Sequence, residues 1–112
     1  MTIRFTFGTV VLPGHESDYD RVHRVTPHDL DEVIRDAGTR FWRIERAERS
    51  LSHFVEVDDI ERFDAVLDAS DVHARWQLLV GPLLESGESE RTVVDHFEFG
   101  QGELVWELAP ED

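Results

Sequence analysis

The sequence has 112 residues, with 25 acidic side chains, 11 basic ones that are all arginine, and a formal charge of −14. A field of this sign repels nucleic acid and anionic membrane surfaces, so we expect neither as a partner. The chain has no cysteine, which excludes disulfides, thiolate metal sites and a cysteine nucleophile. It also lacks a linker-like segment, a signal-peptide core and an apolar run near the roughly 18 residues of a membrane span. A single soluble, cytoplasmic domain over residues 1–112 is therefore predicted.

The predicted elements alternate between strands and helices along the chain. Apolar residues at every second position indicate a first strand over residues 2–12. After Pro13-Gly14, helical spacing predicts one long helix over residues 15–37, which ends at Gly38. Strands are then predicted over residues 40–46 and 51–58, and helices over residues 60–68 and 72–85. A C-terminal hairpin follows, with strands over residues 92–99 and 103–108 and a turn at Gly100-Gln101-Gly102.

This order of elements is that of the ferredoxin-like fold, an α+β fold built as βαββαβ around an antiparallel sheet. The helices of such a fold cover only one face of the sheet. Phe54 lies on the other face of its strand, where an apolar side chain needs a cover. We therefore expect two subunits to pack face to face as a dimeric α/β barrel, so that the protein is a homodimer, with an added C-terminal hairpin strand.

The first indication of a site is a pair of polar aromatic side chains on an otherwise apolar helical stripe. Tyr19 and His23 are four residues apart and share one face of the first helix. The same face continues through Thr26, Leu30, Val33, Ile34 and Ala37. A phenol and an imidazole on a buried stripe need a hydrogen-bond partner, or a pocket that holds a ligand. Pro27 is expected to kink this helix close to His23, because it lacks a backbone N–H.

Several short motifs, taken in order, resemble the L-rhamnose mutarotase family over about residues 5–99. They are the segment from Pro13-Gly14-His15 to Pro27 and Leu30, then Ala37-Gly38 with Phe41-Trp42-Arg43-Ile44, Val55-Glu56-Val57-Asp58, Asp71-Val72-His73-Ala74-Arg75-Trp76 with Pro82-Leu83, and His96-Phe97. The resemblance implies the same dimeric ferredoxin-like barrel. It also implies an enzyme that interconverts the α and β anomers of a deoxy-sugar, with that sugar as its small-molecule partner.

The resemblance implies roles for individual residues as well. His23 matches the family's catalytic histidine, and Tyr19 matches a tyrosine of its pocket. Trp42 stands where the family commonly has a tyrosine, and Trp76 matches the first residue of a tryptophan pair. These residues are therefore the candidates for catalysis and for substrate binding.

Two positions and the C-terminal tail depart from the family's pattern. Gln77 replaces the second tryptophan of the pair, and Thr26 replaces a large aromatic residue just before the helix proline. Both changes remove apolar area against which a sugar could stack. We expect weak or no activity on L-rhamnose and better binding of a larger or more polar ligand, to which Gln77 offers a donor and an acceptor. The tail over residues 100–112 is longer than the family's usual ending.

The chemistry of mutarotation suits these residues independently of the resemblance. Opening the hemiacetal removes a proton from the anomeric hydroxyl and delivers one to the ring oxygen, and histidine can do both near neutral pH. His53 shares a strand face with Leu51 and Val55, and it reaches the pocket if that face looks toward the helices. No cofactor is expected, and no metal, because the six histidines lack the spacing of metal ligands.

Two other functions stay open at this stage. Dimeric α/β barrels also serve as cofactor-free monooxygenases, isomerases and cyclases of small-molecule biosynthesis, and the loss of two aromatic walls is compatible with such chemistry. A non-catalytic binding module is the further alternative, which a pocket filled by side chains would favour. The fold alone cannot choose among these functions.

Overall fold

The computed structural model describes residues 2–24, 26–85 and 88–108. These residues form five strands and four helices: β1 Ile3–Val10, α1 Glu16–Arg24, α2 His28–Asp36, β2 Thr39–Ala47, β3 Ser50–Val57, α3 Ile60–Asp68, α4 Asp71–Val80, β4 Thr92–Val94 and β5 Glu103–Leu108. A 3₁₀ turn over Gly81–Leu83 follows α4. The predicted helix 72–85 therefore ends earlier, at Val80, because Pro82 has no N–H to extend the helical hydrogen bonds.

The strands form one antiparallel sheet in the order β4-β1-β3-β2-β5. β3 lies at its centre, where Val55 stands opposite both Phe5 of β1 and Trp42 of β2. The order β4-β1-β3-β2 with helices on one face is the ferredoxin-like arrangement. The predicted α+β fold class is therefore confirmed, and β5 extends the sheet beyond β2.

The prediction of one continuous helix over residues 15–37 is wrong. α1 ends at Arg24 and α2 begins at His28, with Pro27 as the residue that precedes α2. Pro27 has an extended backbone, with φ −59° and ψ 138°, and its carbonyl accepts the amide hydrogens of Leu30 and Asp31. The expected kink is thus a complete break, and the predicted stripe is shared by two helices that both face the sheet.

The prediction of a C-terminal hairpin is also wrong. β4 pairs with β1 at one edge of the sheet, whereas β5 pairs with β2 at the other edge. Residues 95–102, here called the crossing segment, run between the two edges over the face that carries no helices. The predicted strand 92–99 ends at Val94 because Phe97 and Phe99 leave the edge and pack on this face. The glycines do mark a turn, but the strands on either side of it are not paired.

The crossing segment alters the expectation for the helix-free face. Phe54 is only 4% exposed, because the rings of Phe97 and Phe99 lie against it with centroid distances of 5.7 and 5.2 Å. The premise that Phe54 needs a second subunit to cover it is therefore wrong. A smaller apolar patch is left on this side of the sheet, since Phe99 and Leu104 are 49% and 54% exposed.

The helix-covered face holds the core as two apolar clusters. One lies between α2, α3 and the sheet, and the other lies between α1, the end of α4 and the sheet. Trp42, Trp76 and Trp106 pack against both clusters and are themselves only partly buried. Three large rings therefore lie at the place where the two clusters meet. In the described part of the chain, no helix has the length and apolar character needed to cross a membrane.

Candidate active site

A cavity of about 230 Å³ opens at the point where the two core clusters meet. Its walls come from all four helices on one side and from β1, β2, β3 and β5 on the other. All seven residues that the sequence singles out line this cavity: Tyr19, His23, Thr26, Trp42, His53, Trp76 and Gln77. The chemistry that each can perform follows from its contacts.

His23 is held in one orientation and one tautomer. Its side chain is 5% exposed, and its Nδ1 lies 2.8 Å from the backbone carbonyl oxygen of Tyr19. A carbonyl oxygen can only accept a hydrogen bond, so Nδ1 carries the proton and Nε2 is the unprotonated nitrogen of the neutral ring. The ring packs on that of Tyr19 with centroids 4.1 Å apart, and it meets the ring of Trp76 edge-on at 5.2 Å. Its Nε2 is therefore a fixed base.

Burial decides the charge of this pair at neutral pH. It lowers the pKa of His23 below its ordinary value, against the opposing effects of the hydrogen bond to Tyr19 and of the Asp20 carboxylate. Burial also raises the pKa of the Tyr19 phenol, and Asp20 adds to that effect. The site therefore holds a neutral imidazole that can accept a proton, beside a phenol that keeps its own.

His53 lies on the strand face that looks toward the helices, so the condition for it to reach the pocket is met. Trp42 donates its indole N–H to Nδ1 of His53 at 3.3 Å, which leaves Nε2–H to donate to the hydroxyl of Thr9 at 3.0 Å. The ring stacks on Phe7 with centroids 4.2 Å apart, and burial lowers the pKa of His53 to about 3, with a smaller effect from His23. Because both ring nitrogens are engaged, His53 holds the wall of the cavity in place.

Aromatic rings make up much of the cavity wall. Besides Trp42 and Trp76, the wall contains Trp106 of β5, whose ring lies edge-on to Trp42 at 6.0 Å. Sequence reasoning missed Trp106, because its position depends on the pairing of β5 with β2, which local pattern does not reveal. The alternation of Trp106 with Leu108 in the last strand was the one signal that these side chains share a face.

The two departures from the family pattern occupy different places in the cavity. Gln77 is exposed at the rim, where its side-chain amide nitrogen lies 3.2 Å from Nε2 of His73. Thr26 is half-buried between the two helices of the stripe, and its hydroxyl is 3.5 Å from the carboxylate of Asp31. A polar side chain therefore lines the cavity at both positions where the resemblance implies an aromatic one.

Sequence reasoning also missed a charged rim. Asp64, Asp68 and Glu88 line the cavity together with Arg91, which donates two hydrogen bonds of 2.8 and 2.9 Å to Asp64. No local motif links these residues, since Arg91 and Asp64 are 27 positions apart. Among the described residues, no group of three or more histidine or carboxylate side chains is placed to hold a metal ion.

Comparison with known proteins places this chain in a family. The model of the L-rhamnose mutarotase family matches residues 4–108. The chain belongs to this family. An L-rhamnose mutarotase from Pectobacterium atrosepticum is 26% identical over 95 residues, which cover 83% of this chain and 90% of the relative. Another from Enterobacter sp. is 33% identical over 76 residues, which cover 66% of this chain and 72% of the relative.

The comparisons confirm the family and the enzyme class that the sequence predicts, since a mutarotase is an isomerase that acts on sugars. The match runs to residue 108 and includes β5. The family match thus extends the resemblance drawn over about residues 5–99 to residue 108, and the strand that carries Trp106 lies within it.

Solved structures agree on the fold. The structure of an L-rhamnose mutarotase from Formosa agariphila superimposes with a TM-score of 0.67 at 14% sequence identity, over 88% of this chain and 98% of that one. Putative antibiotic biosynthesis monooxygenases share the fold at 9–16% identity. Similarity at this level shows a common fold and does not carry their function to this chain.

Proposed function

We propose that this family member is a cofactor-free mutarotase that interconverts the α and β anomers of a neutral monosaccharide of deoxy-sugar size, with His23 as its acid and base. The observation that carries this proposal is the fixed tautomer of His23, which leaves Nε2 unprotonated in the wall of the cavity. The volume of about 230 Å³ lies below the roughly 300–1,000 Å³ of pockets for drug-sized ligands. It suits a single sugar ring.

Proton transfer by one imidazole is sufficient for the reaction. Nε2 of His23 takes the proton of the anomeric hydroxyl while the bond between the anomeric carbon and the ring oxygen breaks, and Nε2–H then gives that proton to the ring oxygen. The open-chain aldehyde rotates about its first carbon–carbon bond, and the same steps in reverse close the ring as the other anomer. The carbonyl of Tyr19 stabilises the transient imidazolium, because Nδ1–H remains bonded to it.

Tyr19 and the tryptophans have supporting roles in this scheme. The phenol stays protonated because burial raises the pKa of Tyr19, so it serves as a hydrogen-bond donor to a sugar oxygen rather than as a proton source. The rings of Trp42, Trp76 and Trp106 offer flat apolar surface to the C–H face of a sugar. Thr26 and Gln77 add hydroxyl and amide groups, so these two positions set which sugar is preferred.

The alternative functions have less support. A pocket filled by side chains would favour a binding module, whereas here the cavity is open and His23 lines it. The likeness to monooxygenases is one of fold. We also propose that the protein is a cytoplasmic homodimer in which the patch of Phe99 and Leu104 takes part in the contact. Sedimentation at micromolar concentration tests the dimer, and a stable folded monomer of about half the expected mass would contradict it.

Saturation-transfer NMR on the anomeric protons of L-rhamnose tests the proposed activity. The exchange rate between the anomers should rise in proportion to the concentration of protein, and L-fucose and a larger aldose should be compared in the same way. A folded protein that accelerates none of these exchanges would contradict the proposal.

The same assay decides whether the two departures have changed the substrate. The native protein should be weak on L-rhamnose, and the double variant Thr26→Trp, Gln77→Trp should gain activity, at roughly 1–3 kcal/mol for each restored apolar contact. Ordinary enzyme efficiency of the native protein on L-rhamnose would show that the departures have left the substrate unchanged.

A further inference from the structure

The most elaborate polar arrangement outside the cavity surrounds Glu45, on the helix-free face of the sheet. Its side chain is fully buried, yet it carries a carboxylate. The backbone N–H groups of Gly100, Gln101 and Gly102 all donate to that carboxylate, at 3.1, 2.7 and 3.3 Å. Three successive N–H groups that converge on one anion form a backbone nest. The Gly-Gln-Gly motif is therefore the binding site for a carboxylate of the same chain.

Arg43 completes the surroundings of Glu45. Its guanidinium donates to Glu45 at 2.7 Å and to Glu107 of β5 at 2.7 Å, and it lies 5.0 Å from the centroid of the Phe99 ring. Burial by itself would raise the pKa of Glu45, but the hydrogen bonds from Arg43, Gly100 and Gln101 outweigh it and hold the pKa below its usual range. Glu45 is thus a stable anion that ties β2 to the residues directly before β5, and Arg43 ties β2 to Glu107 within β5.

Both glycines of the motif are required by this geometry. Gly100 has φ 92°, a conformation that residues with a side chain rarely adopt. A Cβ atom at Gly102 would overlap the backbone carbonyl of Arg46, so only glycine permits the close approach of the turn to β2. At Gly81, by contrast, an added Cβ would meet nothing within 4 Å.

The nest lies directly beside the strand that supplies a wall of the cavity. β5 begins at Glu103, immediately after Gly102, and Trp106 follows three residues later. The pairing of β2 with β5 is interrupted between Ile44 and Glu45, so the regular hydrogen bonds of the sheet weaken at this point. The hydrogen bonds from the nest to Glu45 join the two strands at this point.

We propose that Glu45 is a positioning residue for sugar binding: by anchoring the Gly100-Gln101-Gly102 nest on one face of the sheet, it fixes β5 and thereby holds the ring of Trp106 in the cavity on the other face. The inference rests on the proposed function in one respect, namely that Trp106 contacts the sugar. The anchoring itself does not depend on what the cavity binds.

Steady-state kinetics and tryptophan fluorescence of the intact protein test this inference. Glu45→Ala and Gly102→Ala should each raise KM for the sugar by about 5–20-fold and leave kcat within about threefold, which is the pattern of lost ground-state binding. Glu45→Gln, which keeps one acceptor oxygen for the nest, should have a smaller effect on KM. Gly81→Ala is the matched control and should change neither constant.

The emission of Trp106 gives a second, ligand-independent measurement. It is obtained as the difference between each protein and the same protein carrying Trp106→Phe. In Glu45→Ala and Gly102→Ala the Trp106 emission should shift to the red and become more accessible to acrylamide, whereas Gly81→Ala should match the native protein. If Glu45→Ala fails to fold, Gly102→Ala and Glu45→Gln still decide the matter.

The outcomes separate this inference from the proposed function. A lower melting temperature with unchanged KM and unchanged Trp106 emission would show that Glu45 is only structural, and a fall in kcat at constant KM would equally overturn the inference. If the native protein has no mutarotase activity, the proposed function fails, and the fluorescence of Trp106 still decides whether the nest positions β5.

Discussion

On the helix-covered face of the sheet, His23 is buried with one ring nitrogen bonded to a carbonyl and the other left unprotonated in a cavity wall. On the opposite face, Glu45 is buried with its carboxylate surrounded by three backbone N–H groups and a guanidinium. Both are polar groups that folding has removed from water. They differ in that Glu45 has its partners inside the protein, whereas His23 keeps a basic nitrogen for a ligand.

This difference separates a buried polar group that stabilises the fold from one that can take part in catalysis. A buried charge is tolerated when hydrogen bonds replace its lost hydration, and the arrangement is then rigid and unreactive. A buried base with an unprotonated nitrogen is useful only where a substrate can reach it. His53 belongs with the groups that stabilise the fold although it lines the cavity, because Trp42 and Thr9 occupy both of its ring nitrogens.

The largest expected effect is the loss of catalysis in His23→Ala. Removing the base should lower kcat by roughly 10²- to 10⁴-fold, the usual worth of a positioned acid or base, while the oligomeric state and the circular dichroism spectrum stay those of the native protein. The measurement is anomer exchange by NMR. Tyr19→Phe, which keeps the ring and removes one hydrogen bond, should cost about 3–10-fold. Unfolding of His23→Ala, with Tyr19→Phe fully active, would place His23 among the structural groups instead.

The next effect concerns stability in acid and distinguishes His53 from an exposed histidine. The pKa of His53 is lowered from 6.5 to about 3 in the folded protein, so the unfolded chain binds the proton first as the pH falls. Its contribution to stability is complete above pH 6.5 and is lost as the pH falls toward 3. Between pH 6.5 and 4.5 the loss is about 2–3 kcal/mol.

Urea unfolding at these two pH values measures the loss. His53→Gln keeps a donor and an acceptor but does not titrate, so it should flatten the pH dependence by that amount. His28→Gln, on the exposed side of α2, is the matched control and should leave the native slope. If the free energy of unfolding falls equally with pH in the native protein and in His53→Gln, His53 accepts a proton without loss of the fold.

A smaller effect is expected in the pH dependence of catalysis. Because burial lowers the pKa of His23, kcat/KM should be level at neutral pH and should fall about tenfold per pH unit below a midpoint that lies under 6.5. The spontaneous, buffer-catalysed exchange is subtracted at each pH. A midpoint above the ordinary pKa of histidine would assign the base to another group.

The smallest effect is expected at a third kind of buried polar group, one without a partner. Thr39 is 4% exposed, and among the described residues its hydroxyl finds no hydrogen bond. Thr39→Val should therefore stabilise the fold by about 1 kcal/mol in urea unfolding. Thr9→Val is the contrasting variant, because it leaves Nε2–H of His53 unpaired and should destabilise the fold by about 1–3 kcal/mol. Destabilisation by both variants would show that Thr39 has a bound water as its partner.

Sequence periodicity was sufficient to find Tyr19, His23 and His53 in the cavity wall, and the resemblance to the family added the other candidates. The spacing of Tyr19 and His23 places both on the core face of the first helix, and the alternation around His53 places it on one strand face with Leu51 and Val55, because both patterns are local. Trp106 and Glu45 could not be found in this way. Their places depend on the path of the crossing segment from one edge of the sheet to the other, which brings Gly100 against a strand 55 residues earlier. Glycines predict a turn but do not reveal which surface the turn packs on.

The strand order has a consequence for how this protein folds. Both edge strands, β4 and β5, come from the last part of the described chain, and they cover β1 and β2 respectively. Until these residues have left the ribosome, β1 and β2 present unpaired N–H and C=O groups along both sides of a three-stranded sheet, which invites association with other chains. The pairings of β4 with β1 and of β5 with β2 also join residues far apart in sequence, and such contacts form slowly. We therefore expect nascent chains that end before β4 to be the most aggregation-prone species of this protein.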